Sequence, residues 1–213
     1  VGICFLFAQK YHSAMKHVGP IRRELGIRTV FNILGPLTNP ANPAFMVMGV
    51  YDGSLVEPLA RVLASLGVER GMVVFGECVL DELSTAGPTR VCEFARGEGA
   101  DALCAAGGVR EGEAVYLPYV LSPERFGMQA CTRDDLRGGD AQENAATTIG
   151  ILSGEITGCK RDTVVLNAAA GLYVGGAVES LEAGIERARE LIDSGAALRT
   201  LEAYRRASNE GEE

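Results

Sequence analysis

Two apolar runs with one amphipathic stretch between them constrain this fold more than any other feature. Phe45 to Val50 (FMVMGV) and Gly71 to Phe75 (GMVVF) carry no charge and read as strands buried on both faces. Between them Leu55, Leu59, Val62, Leu63 and Leu66 recur at three- and four-residue steps, which predicts a helix stopped by Gly67. Strand, helix, strand in that order is a right-handed βαβ unit. It places the chain in the α/β class, with a central mixed, largely parallel sheet flanked by helices.

The rest of the chain extends this pattern. Ile3 to Ala8 (ICFLFA) is apolar at every position and predicts a further strand buried on both faces. Met15, Val18, Ile21 and Leu25 follow at helical spacing, kinked at Gly19-Pro20 and closed by Gly26. Thr29 to Leu34 suits a strand by composition and a short buried helix by context, and we read it as helix. Gly35-Pro36 and Asn39-Pro40 predict a turn-rich connection. Thr89 to Phe94 alternates as a strand, with Ala114 to Leu117 as a return strand; the Gly- and Ala-rich Ala95 to Gly112 between them predicts an irregular surface hairpin or insertion. Helices are predicted from about Ala141 to Ser153, after Gly138-Gly139-Asp140, and from about Asp162 to Val174. Another carries the stripe Leu181, Ile185, Ala188 and Ile192 behind an N-cap Ser180, and the last runs through Leu198 and Leu201.

A chain of 213 residues can bury one sizeable core. Its net charge of −8, from 28 acidic and 20 basic side chains, argues against nucleic acid as a partner, because neutralising phosphates needs a basic face. It leaves room for a phosphorylated small molecule held by a local pocket or a metal. The six cysteines show no CxxC pair, so neither zinc nor redox use is indicated, and free thiols in a reducing compartment are expected. Ile3 to Ala8 is too short to span a bilayer and follows no charged segment, which predicts neither a membrane anchor nor a signal peptide. With Val1 rather than Met at the start, the expectation is a cytoplasmic protein from which an N-terminal portion is missing.

Few residues suggest chemistry. His12 follows a predicted strand end, where ligands gather in open α/β sheets, and is equally suited to a backbone partner at that junction. Arg22 suits two-pronged recognition of a carboxylate, or plain solvation on a helix. Gly35 could let backbone approach a ligand or simply make a turn. Asp81 and Glu82 lie in the loop Gly76 to Gly87 (GECVLDELSTAG); adjacent carboxylates are either solvated or hold Mg²⁺ together with phosphate oxygens and waters. There is no P-loop, GxGxxG or GxSxG. The residues alone leave these alternatives open.

The string from His12-Ser13-Ala14-Met15-Lys16-His17 through Arg22-Arg23-Glu24-Leu25-Gly26 and Arg28 to Pro40 (RTVFNILGPLTNP) resembles anthranilate phosphoribosyltransferases. So do Gly49-Val50-Tyr51, Leu80 to Ser84 (LDELS), Gly138 to Ala145 (GGDAQENA) and Leu166 to Ala170 (LNAAA), in the family's order along nearly the whole chain. The resemblance implies the α/β domain that this family shares with the pyrimidine nucleoside phosphorylases. It implies transfer of 5-phosphoribosyl from phosphoribosyl pyrophosphate (PRPP) to the amino group of anthranilate, on the way to tryptophan. It further implies that His12, Met15 and Arg22 line the anthranilate path, that Arg22 meets the carboxylate, and that Met15 covers the ring. Gly35 would sit in the corner beside them, and Asp81 and Glu82 would hold Mg²⁺ on the pyrophosphate. The full-length chain would be a homodimer.

Departures from the family are equally specific. The glycine-rich pyrophosphate loop, the Asn-Ser-Thr and Lys-His-Gly-Asn segments and the small helical domain would all precede Val1, so at most residual activity is expected of this chain alone. Ser13 stands where Pro is usual, and the stretch from Ala95 to Gly112 looks long.

Overall fold

The computed structural model describes residues 1–6, 24 and 31–210 (Phe31 and Asn32 by their backbone only). The predicted helix through Met15, Val18, Ile21 and Leu25 therefore lies outside the described residues, as do His12, Met15 and Arg22. The elements are α1 (Phe31–Leu37), β1 (Phe45–Gly49), α2 (Val56–Ser65), β2 (Arg70–Gly76), β3 (Thr89–Arg96), α3 (Glu98–Ala105), β4 (Val109–Glu111) and β5 (Ala114–Leu121). Helices α4 (Ala141–Leu152), α5 (Cys159–Val174), α6 (Leu181–Asp193) and α7 (Ala196–Asn209) complete it.

The five strands form one sheet in the order β1-β2-β3-β5-β4. The predicted βαβ unit is present: β1 and β2 pair in parallel, from Phe45 opposite Arg70 to Gly49 opposite Val74. The other three pairs, β2 with β3, β3 with β5 and β4 with β5, are antiparallel. The sheet is thus mixed as expected, but among the described residues it is mostly antiparallel rather than largely parallel. Hairpin connections, unlike helical crossovers, return the chain antiparallel, and the links β2–β3 and β4–β5 are of that kind.

Both faces of the sheet are covered, and β2 shows why its sequence is apolar throughout. Met72 and Val74 point into a core with Leu83, Val91, Val165, Leu166, Ala169, Ala170, Ile185 and Ile192, built by α5 and α6. Val73 and Phe75 point the other way, among Val56, Leu59, Leu63, Cys92 and Phe94, where α2 packs. Side chains alternate across a strand, so a central strand between two helical layers must be apolar at every position. Gly184 lets α6 cross α5 closely, for a Cβ there would lie 2.8 Å from the Ala169 carbonyl oxygen.

Several expectations require correction. Residues 3–6 form no strand, and Val1, Ile3 and Phe5 are exposed; an apolar run becomes a buried strand only where neighbours pair with it and cover it, and no strand among the described residues does. Gly35-Pro36 is not a turn but part of α1. Pro36 forfeits its N–H only one residue before the helix ends, and Thr38 closes that end on the Leu34 carbonyl with both its N–H (2.9 Å) and its hydroxyl (2.7 Å). The stretch Ala95 to Gly112 is not irregular: it holds α3 and β4, with Ala100 and Leu103 buried against Ala95 and Val115. Finally, Cys131 and Cys159 are joined in a disulfide across 28 residues, with Cα atoms 5.8 Å apart, while Cys4, Cys78, Cys92 and Cys104 are free. No described helix is long and apolar enough to cross a membrane.

Candidate metal and substrate site

The loop after β2 carries the carboxylate pair. Gly76 and Leu80 close its first turn, with Gly76 N–H donating to the Leu80 carbonyl (2.9 Å) and Leu80 N–H donating back (3.2 Å). Within that turn Val79 adopts φ of +64°, a left-handed conformation that β-branched residues rarely accept. Asp81 and Glu82 follow, both exposed, and then Leu83, Ser84 and Thr85 are each fully buried. Two solvent-facing charges are thus presented from an anchored backbone.

Three elements provide the anchor. From β1, Gly49 lies so close beneath the loop that a Cβ on it would fall 1.6 Å from the Asp81 carbonyl oxygen, so only glycine fits there. From α5, Asn167 accepts from the Leu83 N–H (3.0 Å) and donates to the Leu83 carbonyl (2.7 Å), while the Thr163 and Thr85 hydroxyls meet at 2.6 Å. From the segment before α4, the Cys131 N–H donates to the Thr85 carbonyl (3.1 Å). Within the loop itself, Ser84 N–H donates to the Thr89 hydroxyl (3.1 Å) at the start of β3. Sequence reading singled out none of Gly49, Thr163 or Asn167 as site residues. The available signal was the four-residue spacing of Thr163 and Asn167, which puts two small polar side chains on one face of a helix that is otherwise apolar from Val164 to Val174.

Electrostatically the pair is open. Among the described residues no ion pair reaches Asp81 or Glu82. Partial removal from water pushes the Glu82 carboxyl above its usual range, and the neighbouring Asp81 charge adds to this. No cluster of three or more His, Cys, Asp or Glu suited to a metal occurs among the described residues. Two adjacent carboxylates without a cation nevertheless fit Mg²⁺, which keeps most of its octahedron as water and phosphate oxygens and takes one or two carboxylates from protein.

The structure keeps Gly35 apart from this pair. It lies on α1, whose end (Pro36, Leu37) lines a groove of about 190 Å³ with Met46, Leu63, Leu66 and Val68 at the amino end of β1. Asp81 sits over Gly49 at the carboxyl end of that strand. A Cβ on Gly35 would meet nothing within 4 Å.

Comparison with known proteins matches this arrangement to one family. The chain is 48% identical to the anthranilate phosphoribosyltransferase of Methanobrevibacter smithii, over 96% of this chain and 56% of the relative. It is 52% identical to that of Clostridium kluyveri, over 92% and 53% respectively. The chain therefore spans about half the length of the curated relatives it matches. Among solved structures, anthranilate phosphoribosyltransferase from Thermus thermophilus superposes with a TM-score of 0.78 at 43% identity, over 94% of this chain and 54% of that one. The Saccharomyces cerevisiae enzyme in complex with PRPP and Mg superposes at 0.74 and 29% identity, over 91% and 51%. The sequence pattern of the family described as "Glycosyl transferase family, a/b domain" matches residues 1–198, and the chain belongs to that family.

Proposed function

We propose that this chain supplies the metal side and the acceptor side of an anthranilate phosphoribosyltransferase, and that Asp81 and Glu82 are its Mg²⁺ ligands. One observation carries the reading: an exposed carboxylate pair with no cation among the described residues, on a loop fastened from three sides. The relatives that bear the enzyme's name support it, as does the yeast structure with PRPP and Mg.

The reaction breaks the bond from ribose C1 to the pyrophosphate oxygen, whose electron pair leaves with pyrophosphate. It forms a bond from C1 to the anthranilate nitrogen, which then gives up a proton. Mg²⁺, when bound, neutralises the charge that builds on the leaving group. The aromatic amine is already a nucleophile, so the work of the protein is orientation rather than strong base catalysis. In this reading Arg22 grips the anthranilate carboxylate with two parallel hydrogen bonds. Met15 covers the ring, and His12 and Gly35 border the path. The full-length protein, in the same reading, is a cytoplasmic homodimer.

The test is the loss of anthranilate fluorescence on the natural full-length chain with PRPP and Mg²⁺. Arg22→Ala and Asp81→Asn/Glu82→Gln variants run beside it, with thymidine phosphorolysis as the comparison reaction. Turnover that collapses in both variants supports the assignment. Thymidine cleavage without anthranilate turnover contradicts it.

A further inference from the structure

We propose that Asn167, on α5, is a positioning residue for the carboxylate pair. Its side-chain amide sets the backbone of Leu83 and so the direction in which Asp81 and Glu82 face. The inference rests on the metal-site reading above.

Asn167 uses its amide as a strand neighbour would. Its Oδ1 accepts from Leu83 N–H at 3.0 Å, and its Nδ2 donates to the Leu83 carbonyl at 2.7 Å, so both polar groups of one residue are held by one side chain 84 positions away. The same Nδ2 donates to the Thr163 carbonyl at 2.9 Å, which fixes the amide's own orientation on α5. Leu83 is fully buried and directly follows Glu82, so its peptide groups have no water to turn to. Holding its N–H fixes the peptide plane that joins it to Glu82, and holding its C=O fixes the next plane, to Ser84.

Asn167 is not needed to hold the loop as a whole. The Thr85–Thr163 hydroxyl contact of 2.6 Å and the hydrogen bond of 3.1 Å from Cys131 N–H to the Thr85 carbonyl fasten the segment two residues further on. Gly76 and Leu80 close its other side. Removing the Asn167 amide therefore frees the peptide between Glu82 and Leu83 while both flanks stay attached. This separates positioning from folding. Thr163→Val, which removes the neighbouring rung but leaves Leu83 held, is the matched control.

The experiment uses the full-length protein as wild type, Asn167→Ala, the size-matched Asn167→Leu, Thr163→Val and Asp81→Asn/Glu82→Gln. Mn²⁺ binding in the presence of pyrophosphate is followed by electron paramagnetic resonance, and amide exchange is followed across residues 76–90. In both Asn167 variants the Leu83 amide is expected to exchange at least about tenfold faster and Mn²⁺ to bind about tenfold more weakly, the loss of one or two well-made hydrogen bonds. KM for PRPP rises with them while KM for anthranilate holds. Thr163→Val loses thermal stability but leaves the Leu83 amide protected, because the Asn167 bonds to Leu83 remain. Wild-type affinity in the Asn167 variants, with Leu83 deprotected, overturns the proposal. So does failure of both Asn167 variants to fold, which would make the residue part of the fold's stability. Wild-type binding that the Asp81→Asn/Glu82→Gln protein shares would instead refute the metal-site reading.

Discussion

Helix α5 holds a charged group at each of its ends, and the two are built in opposite ways. At its carboxyl end Tyr173 stacks on the Arg70 guanidinium (4.1 Å to the ring centre), and Arg70 pairs with Glu93 at 3.4 Å. Tyr119 donates to the same carboxylate at 3.4 Å. Glu93 is 4% exposed, and burial, with the Glu93 charge beside them, pushes both tyrosine hydroxyls up. Charge there is answered inside the protein. Nearer the amino end of α5, Thr163 and Asn167 bind backbone and hydroxyl groups of the loop, and the carboxylates of Asp81 and Glu82 are left to solvent. Backbone is answered there, and charge is not. A carboxylate that stabilises a fold has its partner within the fold, whereas one poised for a ligand has a fixed peptide and an empty front.

The contrast can be broken at either end. Gly49→Ala has the largest expected effect, since its Cβ would lie 1.6 Å from the Asp81 carbonyl oxygen and must push it away. Misplacing the pair by about 1 Å is expected to lower kcat/KM for PRPP about 100-fold in the full-length enzyme. Circular dichroism should show the helices retained. Glu93→Gln acts on the other end. It leaves the partly buried Arg70 without its counter-charge, and urea denaturation should show a loss of about 2 kcal/mol. Mg²⁺ dependence should not change, and a change would mean that the two ends are coupled through α5.

The smallest effect concerns pH. The Glu82 carboxyl has its folded pKa raised, first by desolvation and then by Asp81. The folded state therefore binds the proton more tightly than the unfolded chain, and stability without metal falls as pH rises through the raised value. Glu82→Gln should remove that fall, making the metal-free protein slightly more stable than wild type at neutral pH and no more stable below about pH 4, under the unfolded pKa. Its exposure to solvent keeps the effect small. A variant less stable at neutral pH would mean that Glu82 has a cationic partner.

What could be read from sequence follows from which interactions are local. The βαβ unit, the Ser180 cap and the stripe of α6 were legible because periodicity and capping act within a few residues. The start of α4 after Gly138-Gly139-Asp140 was legible too, and there Asp140 closes a full capping box with Glu143. Strand direction was not, since the twelve residues between β2 and β3 permit either sense. Helix α3 was missed because Gly99 and its alanines leave only Ala100 and Leu103 as a face. The disulfide escaped because its cysteines are 28 apart, outside any short-spacing pattern. Asp81 and Glu82 stood out as a pair, but Gly49 and Asn167 belong to the site only through contacts across the sheet and across 84 residues.

The most direct test of the central claim is calorimetric titration of PRPP into the full-length protein with and without Mg²⁺, for wild type and for Asp81→Asn/Glu82→Gln. The account predicts that Mg²⁺ tightens PRPP binding to wild type and that the variant loses this gain while binding anthranilate normally. A variant that keeps the full Mg²⁺ effect would contradict it, because the metal would then be held by other residues.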